Sequence, residues 1–204
     1  VSKPQYPTGE HTDICVEAYP SSANSFVYVL LEQYLAPDKN YAHHTHSLAS
    51  LKVAVKRNLP IVFIIRHPKG ALSSRLSRWD IPLTPSIQQY LRLHTFVLEN
   101  KSQFLLIDFE ELRTDLPSIV RKLCDYLNIT TKLTVNEMET LKGEIFEYID
   151  NHYESSDSLE RSASPNIDRS EQKARITSEI VDHPLFVDSE ALYKQLRSIA
   201  TSKV

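Results

Sequence analysis

The run Leu59-Pro60-Ile61-Val62-Phe63-Ile64-Ile65-Arg66-His67-Pro68 constrains this chain more than any other segment. Its centre is apolar at every position, rich in β-branched residues and bounded by prolines, which predicts a strand. Apolarity on consecutive rather than alternate residues requires cover on both faces, as in a parallel sheet between helices. Gln103-Phe104-Leu105-Leu106-Ile107-Asp108 has the same character, and Asp13-Ile14-Cys15-Val16-Glu17-Ala18-Tyr19 is a shorter run ending at Pro20.

Helical periodicity fills the intervals. Residues 24–36 carry Phe26, Val29, Leu30, Gln33 and Tyr34 at helical spacing, with Pro37 just beyond. Tyr41-Ala42-His43-His44-Thr45-His46 reads as a second extended piece, and Ser47 as the cap of a helix running to Asn58. Further helices are predicted over 69–78, from a Thr84-Pro85 start to Glu99, and over 116–127, 134–152 and 170–200. Strand-then-helix units with short turns define an α/β class, three layers deep, with a mainly parallel sheet flanked by helices. Ligands of such folds bind at the carboxyl ends of the strands.

The 204 residues, 41% hydrophobic and 24% charged, are enough for one domain that folds without staples. Within it, 12–130 is expected to form a nucleotide-binding core and 131–204 a helical C-terminal part. The serine-rich stretch Glu154 to Arg169 is expected to be a mobile loop or lid. A net charge of -3 argues against nucleic acid or an anionic membrane as a partner, so an anionic ligand must be held locally. Cys15 and Cys124 sit in apolar runs and read as buried thiols. With no run long enough for a bilayer and no signal-peptide core, a cytoplasmic location is expected.

Three segments fall at strand ends. Tyr19-Pro20-Ser21-Ser22-Ala23-Asn24-Ser25-Phe26 turns from a strand into a helix, where backbone N–H groups and the helix dipole attract a phosphate; as an isolated feature it is also an ordinary helix cap. Arg66 leaves the most apolar strand, and Ser73 and Ser74 follow two helical turns later, so a guanidinium fork and a hydroxyl can form a phosphate clamp. An arginine capping carbonyls is the structural alternative. Phe109 ends a buried strand, either as core or as a face for a nucleobase.

Taken in order, these segments resemble the PAPS-dependent sulfotransferases, especially their small bacterial members. Residues Tyr19 to Phe26 are similar to the family's 5′-phosphosulfate loop, Tyr-Pro-Lys/Arg-Ser-Gly-Asn/Thr-Thr/Ser-Trp/Phe. Arg66 and Ser74 resemble its 3′-phosphate pair. Ile107-Asp108-Phe109-Glu110-Glu111-Leu112 resembles the segment whose aromatic residue lies near adenine, and Thr45-His46 the dipeptide that supplies the catalytic base in cytosolic members. The resemblance spans residues 12 to 130 and is loose in the tail with Pro165 and Arg169.

The resemblance implies a P-loop-NTPase-like sulfotransferase fold and transfer of a sulfuryl group from PAPS to a hydroxyl, or an amine, of a small-molecule or glycan acceptor. PAP is the product, and no metal is required. Ser21, Ser22, Ala23, Asn24, Ser25 and Phe26 would surround the 5′-phosphosulfate, Arg66 and Ser74 the 3′-phosphate, and Phe109 with Phe26 the adenine. His46 is expected as base, with His44 as the alternative; in an extended segment the two side chains share a side. The same spacing suits two metal ligands, but a zinc site needs a third or fourth, and no nearby Cys or carboxylate has a typical spacing.

Two residues depart from the family pattern. Ser21 replaces the loop's Lys or Arg and Ala23 its Gly, in a chain with three glycines in total. A cation there offsets charge on the leaving phosphate, so efficient catalysis needs another basic residue to reach in, and Lys69, Arg161, Arg169 and Arg175 are the candidates. The alternative function is a sulfotransferase-like nucleotide-binding or interaction module with weakened chemistry. A P-loop phosphotransferase is disfavoured by the lack of a Gly-Lys-Ser/Thr loop.

Overall fold

The structure, a computed structural model, describes residues 6–153 and 170–202. Four strands form its sheet: β1 (Ile14–Ala18), β2 (Tyr41–His43), β3 (Ile61–Ile65) and β4 (Phe104–Asp108). Between and after them lie α1 (Asn24–Val29), α2 (Leu48–Lys56), α3 (Pro68–Leu76), α4 (Leu83–Glu99), α5 (Phe109–Thr114) and α6 (Leu116–Leu127). Then follow α7 (Val135–Tyr153), α8 (Ser170–Val181) and α9 (Phe186–Ser202).

The strand order is β2-β1-β3-β4, and every pairing is parallel. The chain steps from β1 to β2 on one side and then returns across β1 to β3 on the other. The carboxyl ends of β1 and β3 therefore flank the switch in direction, where open α/β sheets form their ligand crevice. Register places Ala18 beside Ile64, and Ile65 beside Asp108, so all three long strands end level with one another.

Continuous apolarity is explained by two buried faces. Val16, Ala18, Val62, Ile64 and Ile107 face a layer that includes α1, α6 and α7. Cys15, Ile61, Phe63, Ile65 and Leu106 face the other layer, which includes α2, α3, α4 and α9. Both cysteines are free and buried. Ser47 caps α2 as expected, its side chain accepting from the Ala49 N–H.

Three local expectations are corrected. The helix over 24–36 widens after α1 into a π-helical segment, Leu30–Leu35, in which the Ala36 N–H reaches the Leu31 carbonyl at 2.7 Å. Helix α4 starts one residue before Thr84, with Pro82 as N-cap; the Thr84 hydroxyl instead lies 3.0 Å from His183 Nε2. The C-terminal periodicity belongs to two helices, separated at residues 182–185 around Pro184. The expected lid at 154–169 lies outside the described residues. No helix among them is long and apolar enough to cross a membrane.

Candidate active site

The bend after β1 is built without glycine. Ser21 and Ala23 both have φ 65, the left-handed region, where a Cβ costs about 1–2 kcal/mol. Ala23 is the N-cap of α1 and makes no side-chain cap bond, so the first-turn N–H groups of α1 are not capped by it. Ser22 is 1% exposed, and its hydroxyl has no hydrogen-bond partner among the described residues. A buried polar group left unpaired costs free energy that a bound ligand recovers.

Asn24 and Phe26 serve the fold rather than presenting side chains to a ligand. The Asn24 amide spans the Val16 carbonyl, 3.1 Å from its nitrogen, and the His44 N–H, 3.2 Å from its oxygen. Phe26, expected against adenine, is buried in the core with its ring centroid 5.4 Å from that of Phe146. Ser25 keeps a partly buried hydroxyl, 2.8 Å from His44 Nε2.

Arg66 extends from the end of β3 onto this bend. Its Nη1 donates to the Ser21 carbonyl, and its guanidinium lies over the Phe109 ring at 4.0 Å. Burial lowers its pKa to about 10, still leaving it charged at neutral pH. It forms no ion pair among the described residues, although a buried charge is normally paired. Gly70, on the first turn of α3, lets the guanidinium approach: a Cβ there would lie 3.3 Å from Arg66 Nε. Ser74, four residues on and buried, sits on the same side of that helix.

The histidine cluster departs from its expected geometry. β2 ends at His43, and both His44 (φ 59) and His46 (φ 49) are left-handed, so extended alternation does not place them together. A turn brings them together instead, with ring centroids 6.3 Å apart. His44 is buried, with Nδ1 bonded to His43 Nδ1 and Nε2 facing Ser25. His46 is more open. Its Nδ1 lies 2.8 Å from the Ala18 carbonyl, which can only accept, so Nδ1 carries a hydrogen. His46, Ser47 and Leu48 line a cleft of about 300 Å³ with Gln89, Arg92 and Leu93 of α4.

Behind His46 stands Glu17, 1% exposed and next to the last residue of β1. It accepts from the Thr45 N–H and the His46 N–H at 3.0 Å each, and from the Thr45 hydroxyl. Burial raises its pKa to about 7. A second network braces the cleft: Arg75 donates to Gln89 at 2.6 Å and to the Tyr19 hydroxyl at 2.9 Å, and Gln89 donates to the His46 carbonyl at 3.2 Å. The sequence reading missed Glu17 and Arg75. A carboxylate inside an apolar strand was the available signal for Glu17; Arg75 had none.

Of the cations expected to replace the loop lysine, Lys69 is exposed, and Arg175 is exposed on α8 and 3.6 Å from Glu179. Arg161 and Arg169 lie outside the described residues. Among the described residues, Arg66 itself is a cation that touches the bend.

The carboxyl ends of these parallel strands bring together the bend after β1, a partly buried guanidinium with no ion pair among the described residues, and the His46 ring held by the Ala18 carbonyl. The family model described as "Sulfotransferase domain" matches residues 81–182, half of the chain, and the chain belongs to the sulfotransferase family. Among solved structures it is similar to a mouse sulfotransferase, SULT7A1, complexed with PAP. The identity is 14% and the TM-score 0.56, over 91% of this chain and 90% of that one. A comparison with curated proteins gave no match. The α/β architecture with a parallel sheet flanked by helices is that of this family.

Proposed function

We propose that this protein transfers the sulfuryl group of PAPS to a hydroxyl of a small-molecule or glycan acceptor, an amine being the less favoured nucleophile. The observation that carries the reading is Arg66, a partly buried guanidinium with no ion pair among the described residues, set against a bend whose Ser22 hydroxyl has no hydrogen-bond partner among them either. Opposite ends of a bisphosphorylated adenosine would supply what both groups need. The use of the bend is P-loop-like: backbone N–H groups at the start of α1, with the Ser22 and Ser25 hydroxyls, would hold the 5′-phosphosulfate. Arg66 and Ser74 would hold the 3′-phosphate, and Phe109 would cover the adenine.

The acceptor would enter the cleft beside His46. Its oxygen attacks sulfur in line, its proton passes to His46 Nε2, and the bond from sulfur to the 5′-phosphate oxygen breaks to release PAP. The proton acceptor is suited to this task because Nδ1 already carries a hydrogen bonded to Ala18. The backbone N–H groups and hydroxyls of the bend would stabilise the leaving 5′-phosphate, so the scheme needs no metal. A reducing compartment such as the cytoplasm suits the two free, buried thiols.

Labelled PAPS with a panel of hydroxyl and amine acceptors tests the reading. Sulfation that His46→Ala reduces at least 100-fold supports it. PAP binding without transfer to any acceptor would instead favour a nucleotide-binding module whose chemistry lapsed with Ser21 and Ala23.

A further inference from the structure

We infer that Glu17 is a positioning residue for His46, its carboxylate holding the Thr45-His46 turn so that the imidazole presents Nε2 to the acceptor cleft. The inference rests on the reading of His46 as the base. Glu17 is the one charged residue of β1, and its burial has no packing rationale, since every other residue of that strand is apolar. All three hydrogen bonds it receives from the turn come from two consecutive residues, Thr45 and His46. All three partners are donors, matched to the acceptor-only carboxylate that Glu17 presents above its raised pKa of about 7.

The turn needs such a clamp. His44 and His46 both occupy the left-handed region that side chains disfavour, and neither is glycine. With the His46 N–H tied to Glu17 and the ring Nδ1–H tied to the neighbouring Ala18 carbonyl, backbone and ring are both anchored to the end of β1. Two adjacent residues of one strand thus set the direction of Nε2. In the reaction at a pH above the Glu17 pKa of about 7, the acceptor's proton moves to Nε2, the Nδ1–H remains hydrogen-bonded to Ala18, and Glu17 is a carboxylate. Its Oε2, 3.9 Å from Nδ1, then faces an imidazolium and stabilises the charge created by the transfer.

The groups facing this pair are few. Cys15 lies on the same strand face, His44 is beside His46, Arg75 reaches the network through Gln89, and Arg92 stands across the cleft.

The test uses the full chain, with Glu17→Gln, Thr45→Val and His46→Ala compared by pH-dependent PAPS turnover, PAP calorimetry and NMR titration of the His46 ring. For Glu17→Gln the expected result is a kcat lower by about 10–100-fold with KM and PAP affinity within about threefold. The His46 titration, and the acid limb of kcat with it, should move down by about one unit. Thr45→Val, which removes one donor and keeps the carboxylate, should lower kcat by about 3–10-fold and serves if Glu17→Gln does not fold. An inactive His46→Ala beside a Glu17→Gln of wild-type kcat and unchanged His46 titration overturns the inference alone. An active His46→Ala removes the base assignment and the inference together.

Discussion

The Arg66 guanidinium donates to the carbonyl of Ser21, tying the end of β3 to the bend after β1. Two elements 45 residues apart in sequence thereby form one surface, and the Phe109 ring from the start of α5 closes it from a third direction. The position of this guanidinium governs the first prediction.

Gly70→Ala should uncouple stability from binding. Alanine in a helix is favoured over glycine by about 1 kcal/mol, so the melting temperature should hold or rise. The new methyl would meet Arg66 Nε at 3.3 Å and displace the guanidinium. PAP affinity should fall by about 3–10-fold, read by calorimetry beside a thermal melt. Unchanged affinity would separate Arg66 from the nucleotide.

Ala23→Gly removes a Cβ from a left-handed N-cap. Relief of about 1–2 kcal/mol, less the entropy glycine adds to the unfolded chain, leaves a gain of about 0.5–1 kcal/mol. Urea denaturation should show it as a higher midpoint at constant slope. A destabilised variant would mean that the bend is not left-handed at this residue.

Ser21→Lys restores a cation beside the bend. One such contact in a water-poor site changes kcat by about 100-fold, so turnover of PAPS should rise by about 10–100-fold, the lower value reflecting a lysine in a left-handed conformation. If turnover does not rise while PAP still binds, the leaving phosphate lies elsewhere or Arg66 already neutralises it.

Glu17 and His94 give stability opposing pH dependences. Burial raises Glu17 from 4.5 to about 7, so the folded state holds that proton longer and stability falls as pH rises through this window. His94 is fully buried, stacked on Tyr90 at 3.8 Å and lowered from 6.5 to about 4. There the unfolded state takes the proton first, and stability falls as pH drops from 6.5 to about 4. Each contribution reaches about 3 kcal/mol, so the wild-type profile should be nearly flat where the windows overlap. Denaturation of Glu17→Gln across pH 4.5 to 6.5 should expose the His94 slope, with stability rising with pH. A Glu17→Gln profile as flat as the wild type would contradict the buried carboxylate.

The strands were legible because apolar runs have few ways to be satisfied: β3 and β4 lie within a residue of the predicted runs. So was the Ser47 cap, whose side chain and helix are local to each other. Thr84 misled because a tertiary partner, His183, takes the hydroxyl that local chemistry assigns to capping. The crevice between β1 and β3 followed from strand order, which no single motif contains. His44 and His46 were illegible as a turn, since left-handed backbone at residues other than glycine leaves no mark in sequence. Their clamp, Glu17, lies 28 residues from Thr45, a separation that spacing rules do not reach.

Calorimetric titration of PAP into the full chain, and into Arg66→Ala, tests the central claim most directly. The account predicts one site per chain and an affinity reduced by about 10–100-fold in the variant, the worth of a charge-assisted hydrogen bond to phosphate. No binding to the wild-type chain, or equal binding by both proteins, would contradict it.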